Sequence, residues 1–230
     1  GGGGEPAGRA ELSAQRVRGA RRGAATPAMI VLGDRLGLYA ALAEQGPSRS
    51  DELGVTAGVA ERYAREWLAQ QAAAGIPPPQ PPPRPVTLPD AHAAVLADPR
   101  SPAHLTGGAL LASGWFQGVD RLVEAFRTGG GVPWDHQHQD VFDGTERFFG
   151  PAYAASLTTE WIPAVDGLAA RLAAGGTVLD VGCGHGASTV VLADAYPRAQ
   201  VVGIDAHAPS LHVARARPEA AGVADPGRIE

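Results

Sequence analysis

Lysine is absent from all 230 residues, so the 19 basic side chains are all arginine. Against 24 acidic residues they leave a formal net charge of −5, which argues against a general nucleic-acid binder, since that needs a basic footprint. The lone cysteine, Cys183, excludes an intramolecular disulfide framework and points to a cytoplasmic protein. No uninterrupted apolar run is long enough to span a bilayer. The N-terminus carries glycines and arginines in place of an apolar signal core, so no export signal is read there. No G-x-S-x-G occurs, which removes the nucleophile elbow of a serine hydrolase. Glycine (31) and proline (20) are instead abundant.

What is present is concentrated in residues 177–186, TVLDVGCGHG. Thr177, Val178, Leu179 and Val181 bracket Asp180 and run into Gly182, Gly184 and Gly186, which predicts a strand ending in a glycine turn. A helical segment, ASTVVLADAY, follows, and a second strand, QVVGID, ends in Asp205. In an open α/β sheet, ligands sit outside the carboxyl ends of the strands, where these residues cluster. Glycines without Cβ atoms let the backbone take φ > 0 and lie directly against a ligand. The spacing is G-x-G-x-G, whereas a dinucleotide fingerprint reads G-x-G-x-x-G and offers helix N-terminal amides to a pyrophosphate. Asp180 would repel a pyrophosphate but attract an ammonium, and Asp205 is placed for a ribose diol. A ligand with a ribose and an ammonium but no phosphate fits better than NAD, and S-adenosylmethionine is one.

DVGCGHG followed by VVGID resembles the first two cofactor motifs of class I S-adenosylmethionine-dependent methyltransferases. The resemblance implies that Asp180, Gly182, Cys183, Gly184 and Gly186 line the methionine end of the cofactor. It also implies that Asp205 holds the ribose, with Ala206 and His207 beside the adenine.

Residues 1–23 are rich in glycine, alanine and arginine and read as a flexible lead-in, helical at most from Ala10. From Thr26, Met29, Ile30, Leu32, Leu36, Leu38, Tyr39 and Leu42 recur at helical spacing until Gly46 and Pro47 stop the run. Ser50 is read as the cap of a short helix through Leu53. A third helix over 59–75 would bury Val59, Tyr63, Trp67 and Leu68, with Ala64 and Ala72 permitting close approach. Three short helices joined by tight turns suggest a winged helix-turn-helix over 24–98. The wing, however, reads IPPPQPPPRPVTLP, and consecutive prolines lack the amides of a β-ladder, so a stiff loop is expected. The third helix offers Glu61, Arg62, Arg65 and Glu66, whose charges cancel, which favours a dimerisation or substrate-capping role over DNA reading. The region resembles the N-terminal domain of bacterial-type small-molecule methyltransferases in that class.

Residues 99–173 read as a helical connector and active-site lid, with Trp134 and Phe149 as lid or core residues. His136 and His138, near Asp135, Asp140 and Asp143, raise the question of a metal, but structural zinc wants four ligands, and no metal is expected. His185 faces the cofactor rather than the acceptor in this reading, and Cys183 has no base or positive charge to make it a nucleophile. His92, His104 and His212 carry no supporting motif, and no catalytic residue is named.

The fold expectation is an all-α degenerate winged-helix domain followed, from 174 to 230, by the first β-α-β part of a Rossmann-like methyltransferase domain. The resemblance implies methyl transfer to a small-molecule acceptor; composition and charge add the expectation of no membrane or nucleic-acid partner, and the third helix that of a homodimer through the N-terminal domain. The alternative from another class is a helix-turn-helix module that senses a nucleoside ligand without catalysis. In the family's sheet the strand at 177–181 is flanked on its other side by a strand later in the chain. A chain ending at Glu230 leaves that edge unpaired, so weak or absent cofactor binding and self-association are expected.

Overall fold

The computed structural model describes residues 5–76, 85–221 and 228–230. The proline tract of the wing, at 77–84, lies outside the described residues. The chain divides into two compact units, Gly1–Ala97 and Asp98–Glu230.

The first unit is helical: α1 (Glu5–Arg35), α2 (Leu38–Gln45), α3 (Ser50–Ala57), α4 (Glu61–Ala73) and α5 (Asp90–Leu96). The lead-in expected at 1–23 is instead continuous with α1 from Glu5. Alanine and arginine are strong helix formers, so a composition that looks like a tail also propagates a helix. The helical run expected from Thr26 to Gln45 breaks at Gly37, whose φ of 67° is left-handed and turns α1 into α2. Ser50 is not a cap. Arg49 is the N-cap, its amide donating to Glu52 Oε2 at 2.8 Å, and the Ser50 hydroxyl reaches Glu61 across to α4.

On α4 the buried stripe is Ala64, Trp67, Leu68 and Gln71, while Tyr63, expected inside, is 73% exposed. That stripe follows i, i+3, i+4, i+7 spacing and meets Leu38, Leu42, Leu53, Leu88 and Leu96. Tyr39 stands edge-on to Trp67 with ring centroids 5.0 Å apart and donates its hydroxyl proton to Gln71 Oε1 at 2.5 Å. The Trp67 indole N–H satisfies the Met29 carbonyl at 2.9 Å. Among the described residues the wing is reduced to one antiparallel pair, Ser48 with Val86, joined by two backbone hydrogen bonds of 3.0 and 2.8 Å.

The second unit starts with α6 (Thr106–Gln117), α7 (Val119–Thr128) and α8 (Gln139–Ser156). A π turn at Leu157–Trp161 and α9 (Leu168–Ala173) lead into β1 (Thr177–Val181), α10 (Ala187–Ala195), β2 (Gln200–Ile204), α11 (Ala208–Ala221) and β3 (Arg228–Ile229). The sheet is parallel in the order β1-β2-β3, with Thr177 opposite Gln200 and Val181 opposite Ile204. Val201, Leu192 and Ala193 form the core beneath it, with Val178, Leu157 and Ile162 packed around them. Among the described residues β1 pairs on one side only, and Leu179 and Val181 are exposed. The helices expected as a connector thus belong to the same compact unit as the sheet.

Glycine lets α8 lie directly on α6. A Cβ at Gly107 would stand 2.4 Å from the Phe148 nitrogen, and one at Gly144 would stand 2.6 Å from the Leu111 nitrogen. Across the same contact Ser113 donates to the buried Asp140 carboxylate at 2.7 Å.

Candidate functional site

Parallel pairing sets the carboxyl ends of β1 and β2 side by side, and the chain turns sharply there. The Gly182 and Cys183 amides both donate to the Ile204 carbonyl, at 2.8 and 3.0 Å, which ties the start of the turn to the end of β2. Gly182, Gly184 and Gly186 have φ of 76°, 54° and 75°, the conformation L-residues avoid. At Gly182 and Gly184 a Cβ would project into open space, so the bare backbone faces a void. Gly186 is crowded in a different way, by Ala214 of α11 at 3.1 Å from such a Cβ.

That void is a cavity of about 710 Å³. Its floor is the loop from Asp180 to His185, with Ile204, Asp205 and Ala206 to one side. Trp134, Phe142, Phe149 and Tyr153 form an aromatic wall from the preceding segment and α8. Asp180, Asp205 and Glu146 give the lining three carboxylates, and among the described residues no arginine lines it. Glu146 is bridged by Arg217 of α11, which ties α8 to α11 beside the cavity.

Asp180 and Asp205 are held in different ways. Ser188 and Thr189, in the first turn of α10, donate to the same Asp180 oxygen, Oδ2, at 2.7 and 2.6 Å. A carboxylate at a helix N-terminus is also favoured by the helix dipole. Asp205 accepts the Gly184 amide at Oδ2 and the His207 amide at Oδ1, both at 2.8 Å. It therefore braces the glycine turn while lining the cavity, a second duty that strand-end position alone does not reveal. Each Asp205 oxygen retains a further lone-pair direction for a ligand hydroxyl.

Of the sequence-predicted site residues, Asp180, Gly182, Cys183, Gly184, Asp205 and Ala206 line the cavity together. Gly186 and His207 do not. Gly186 is the N-cap of α10 and packs against α11. The His207 ring is 7% exposed, stacks on Phe142 with centroids 3.9 Å apart, and hydrogen-bonds Ser210 at 2.8 Å. The ring is thus committed to Phe142 and Ser210, and the backbone amide holds Asp205. Trp134 and Phe149, ambiguous between lid and core, both face the cavity.

Cys183 is buried, and burial first, then Asp180 and Asp205, push its thiol up to about 11. It stays protonated and is no nucleophile. His185 is buried, its Nε2 makes no hydrogen bond among the described residues, and burial lowers its pKa against the opposing pull of Asp143 and Glu146. Burial raises the Tyr153 hydroxyl's pKa, and Asp180 adds to the shift. The histidines near residue 137 have structural duties. His138 Nδ1 caps α8 by accepting the Asp140 amide, and the His136 carbonyl accepts from Arg121. Among the described residues no group of three or more His, Cys, Asp or Glu is arranged to hold a metal ion. No described helix is long and apolar enough to cross a membrane.

Sequence reasoning did not identify Phe142, Thr145, Glu146, Tyr153, Ser188 or Ser210 as lining residues. The signal available for Ser188 was its place in the first turn after the glycines. The α8 residues share a face at i, i+3, i+4, i+7 and i+11 from Phe142.

Comparison with known proteins agrees with this construction. Residues 24–98 match the Rv2258c-like winged HTH domain, and residues 178–229 match a methyltransferase domain. Among solved structures, the mitomycin 7-O-methyltransferase MmcR is 22% identical with a TM-score of 0.67, covering 97% of this chain and 66% of its own. CalO1, a methyltransferase of calicheamicin biosynthesis solved with S-adenosylhomocysteine, is 21% identical with a TM-score of 0.56, over 95% of this chain and 65% of its own. The O-methyltransferase NcsB1 of neocarzinostatin biosynthesis was solved with S-adenosylmethionine and 2-hydroxy-5-methyl naphthoic acid. It is 18% identical with a TM-score of 0.56, over 90% of this chain and 64% of its own. The chain thus spans just under two thirds of the length of these structures. No curated protein matches it. A winged helix-turn-helix domain followed by a parallel sheet with this glycine turn gives the chain the fold of the class I S-adenosylmethionine-dependent methyltransferases that carry such an N-terminal domain.

Proposed function

We propose that this protein transfers a methyl group from S-adenosylmethionine to a small-molecule acceptor. The observation that carries the reading is the pairing of an open glycine cradle with a half-engaged carboxylate. Asp180 lines the cavity, yet its hydroxyl partners both bind Oδ2, and among the described residues Oδ1 makes no hydrogen bond. Oδ1 is suited to the cofactor's ammonium, and the spare lone pairs of Asp205 to its ribose hydroxyls. Ala206 would flank the adenine, while the bare backbone of Gly182 and Gly184 would lie against the methionine chain. With Glu146 paired to Arg217, Asp180 and Asp205 are the lining carboxylates that disfavour a pyrophosphate and favour a cationic ligand.

The cofactor supplies an electrophilic methyl on a sulfonium centre. The chain's part is to orient and to exclude water. Trp134, Phe149 and Tyr153 cover the glycine turn with apolar surface whose ring faces tolerate a nearby cation. The wall suits a flat acceptor, in line with the aromatic ligand bound to NcsB1. The cancelled charges of α4 support an assembly or substrate-capping role for the N-terminal domain, with dimerisation through its helices. A single cysteine and the absence of a membrane-spanning helix among the described residues support action in the cytoplasm.

Isothermal titration of S-adenosylmethionine and, separately, NAD into the chain tests the reading. Saturable S-adenosylmethionine binding is expected, with the open edge of β1 limiting how tight it is. An Asp180→Asn variant is expected to weaken it about tenfold, the scale of one hydrogen bond to a charged group. Binding of NAD alone, or of neither ligand to soluble protein, would overturn it.

A further inference from the structure

Thr189 does not line the cavity, is fully buried, and yet its hydroxyl makes one of the shortest hydrogen bonds in the site, 2.6 Å to Asp180 Oδ2. A helical threonine ordinarily returns its proton to the carbonyl one turn back. This one donates across to β1 instead. The strand beyond makes room for it: β2 carries Gly203 beside Thr189, and a Cβ there would come 2.9 Å from the Thr189 oxygen and 3.1 Å from the Cys183 sulfur. The hydroxyl, the carboxylate and the missing Cβ therefore form one built arrangement, spanning α10, β1 and β2.

We propose that Thr189 is a positioning residue for the cofactor's amino group. It pins Asp180 through Oδ2 so that Oδ1 stays turned to the ammonium. The inference rests on the reading of the cavity as an S-adenosylmethionine site. Ser188 binds the same oxygen but lines the cavity, so it is able to touch ligand directly. Thr189 reaches the cavity only through its neighbours, Asp180 and the Cys183 thiol, and of these only Asp180 carries a charge for the ammonium. Removing its hydroxyl leaves Oδ2 with one donor and frees the carboxylate to rotate, so an ordered acceptor for the ammonium is lost while the ribose contacts at Asp205 stay in place.

The test compares two probes that differ in the amino-acid moiety: S-adenosylhomocysteine carries the ammonium, and 5′-methylthioadenosine does not. Both are titrated into the wild-type chain, into Thr189→Val, which keeps the shape, and into Thr189→Ser, which keeps the hydroxyl. Thr189→Val is expected to weaken S-adenosylhomocysteine about tenfold and 5′-methylthioadenosine less than about twofold, with Thr189→Ser restoring the loss. In an Asp180→Asn background the valine substitution is expected to add little, because the two residues act through one contact. Equal weakening of both probes, or of neither, would overturn the proposal and assign Thr189 to packing alone. A wild-type chain that binds neither probe would reject the cofactor reading itself, a result separable from the variant comparison.

Discussion

His185 shows what burial does to a residue that the pattern alone leaves ambiguous. Placed between two glycines, it reads from sequence as a cofactor-facing side chain, and it does line the cavity. It is nonetheless 7% exposed, with no partner for Nε2 among the described residues, and desolvation outweighs the carboxylates of Asp143 and Glu146, so its folded pKa lies below the ordinary value. The sign follows from linkage. The unfolded chain takes up the proton first, so stability is full above the unfolded pKa of about 6.5 and falls as pH drops through the lowered folded value. Arg217 and His207 reinforce the effect, since both oppose a further positive charge. Thermal melts between about pH 8 and pH 5 should therefore show a Tm that declines below about 6.5 in the wild-type chain. His185→Gln should show a shallower decline, and identical acid limbs in the two proteins would show that the ring carries no such penalty.

At the level of elements, the contact between α6 and α8 rests on glycine in a way that two neighbouring positions separate. At Gly107 a new Cβ would meet backbone, 2.4 Å from the Phe148 nitrogen and 2.5 Å from the Arg147 carbonyl carbon, so the helices must part. At Gly108 it would meet only the Phe148 ring, at 3.2 Å. Alanine gains about 1 kcal/mol over glycine in a helix interior, and overpacking costs about 1–3 kcal/mol. Gly108→Ala should thus be near neutral, while Gly107→Ala, at the upper end of the overpacking cost less the helix gain, should lower the urea midpoint by an amount equivalent to about 2 kcal/mol. Equal midpoints for the two variants would contradict the close approach. This contact also marks where the sequence stops being legible. The turn at Gly182 to Gly186 is local, and its spacing alone predicts positive φ and the strand ends around it. Which glycines of TGGALLASG touch another helix depends on α8, more than 25 residues away, and no local pattern encodes it. The same holds for Asp205, legible as a strand-end acid but not as the acceptor of the Gly184 amide 21 residues earlier. Tyr63 fails for the converse reason: helical spacing tolerates it on the buried face, but Ala64 and Trp67 take that face, leaving the larger ring in water.

Taken whole, the chain is two compact units, and the described residues that line the cavity all lie in the second, between Trp134 and Ser210. That confinement has an energetic consequence. A ligand that binds only the folded state stabilises the structure forming its site by RT ln(1 + [L]/Kd), about 2.7 kcal/mol at a hundredfold excess over Kd. If the units open independently, that stabilisation reaches only the unit whose opening destroys the cavity. Hydrogen exchange with and without saturating S-adenosylhomocysteine should then slow amides in β1, β2, α10 and the glycine turn. The Gly182 and Cys183 amides are sensitive reporters, because both are held by the Ile204 carbonyl at the edge of the cavity. Amides of Leu42, Leu53 and Trp67, in the core of the first unit, should exchange at unchanged rates. Equal protection in both would mean that the two units unfold as one cooperative body, and that the N-terminal helices share the energy of the cofactor site.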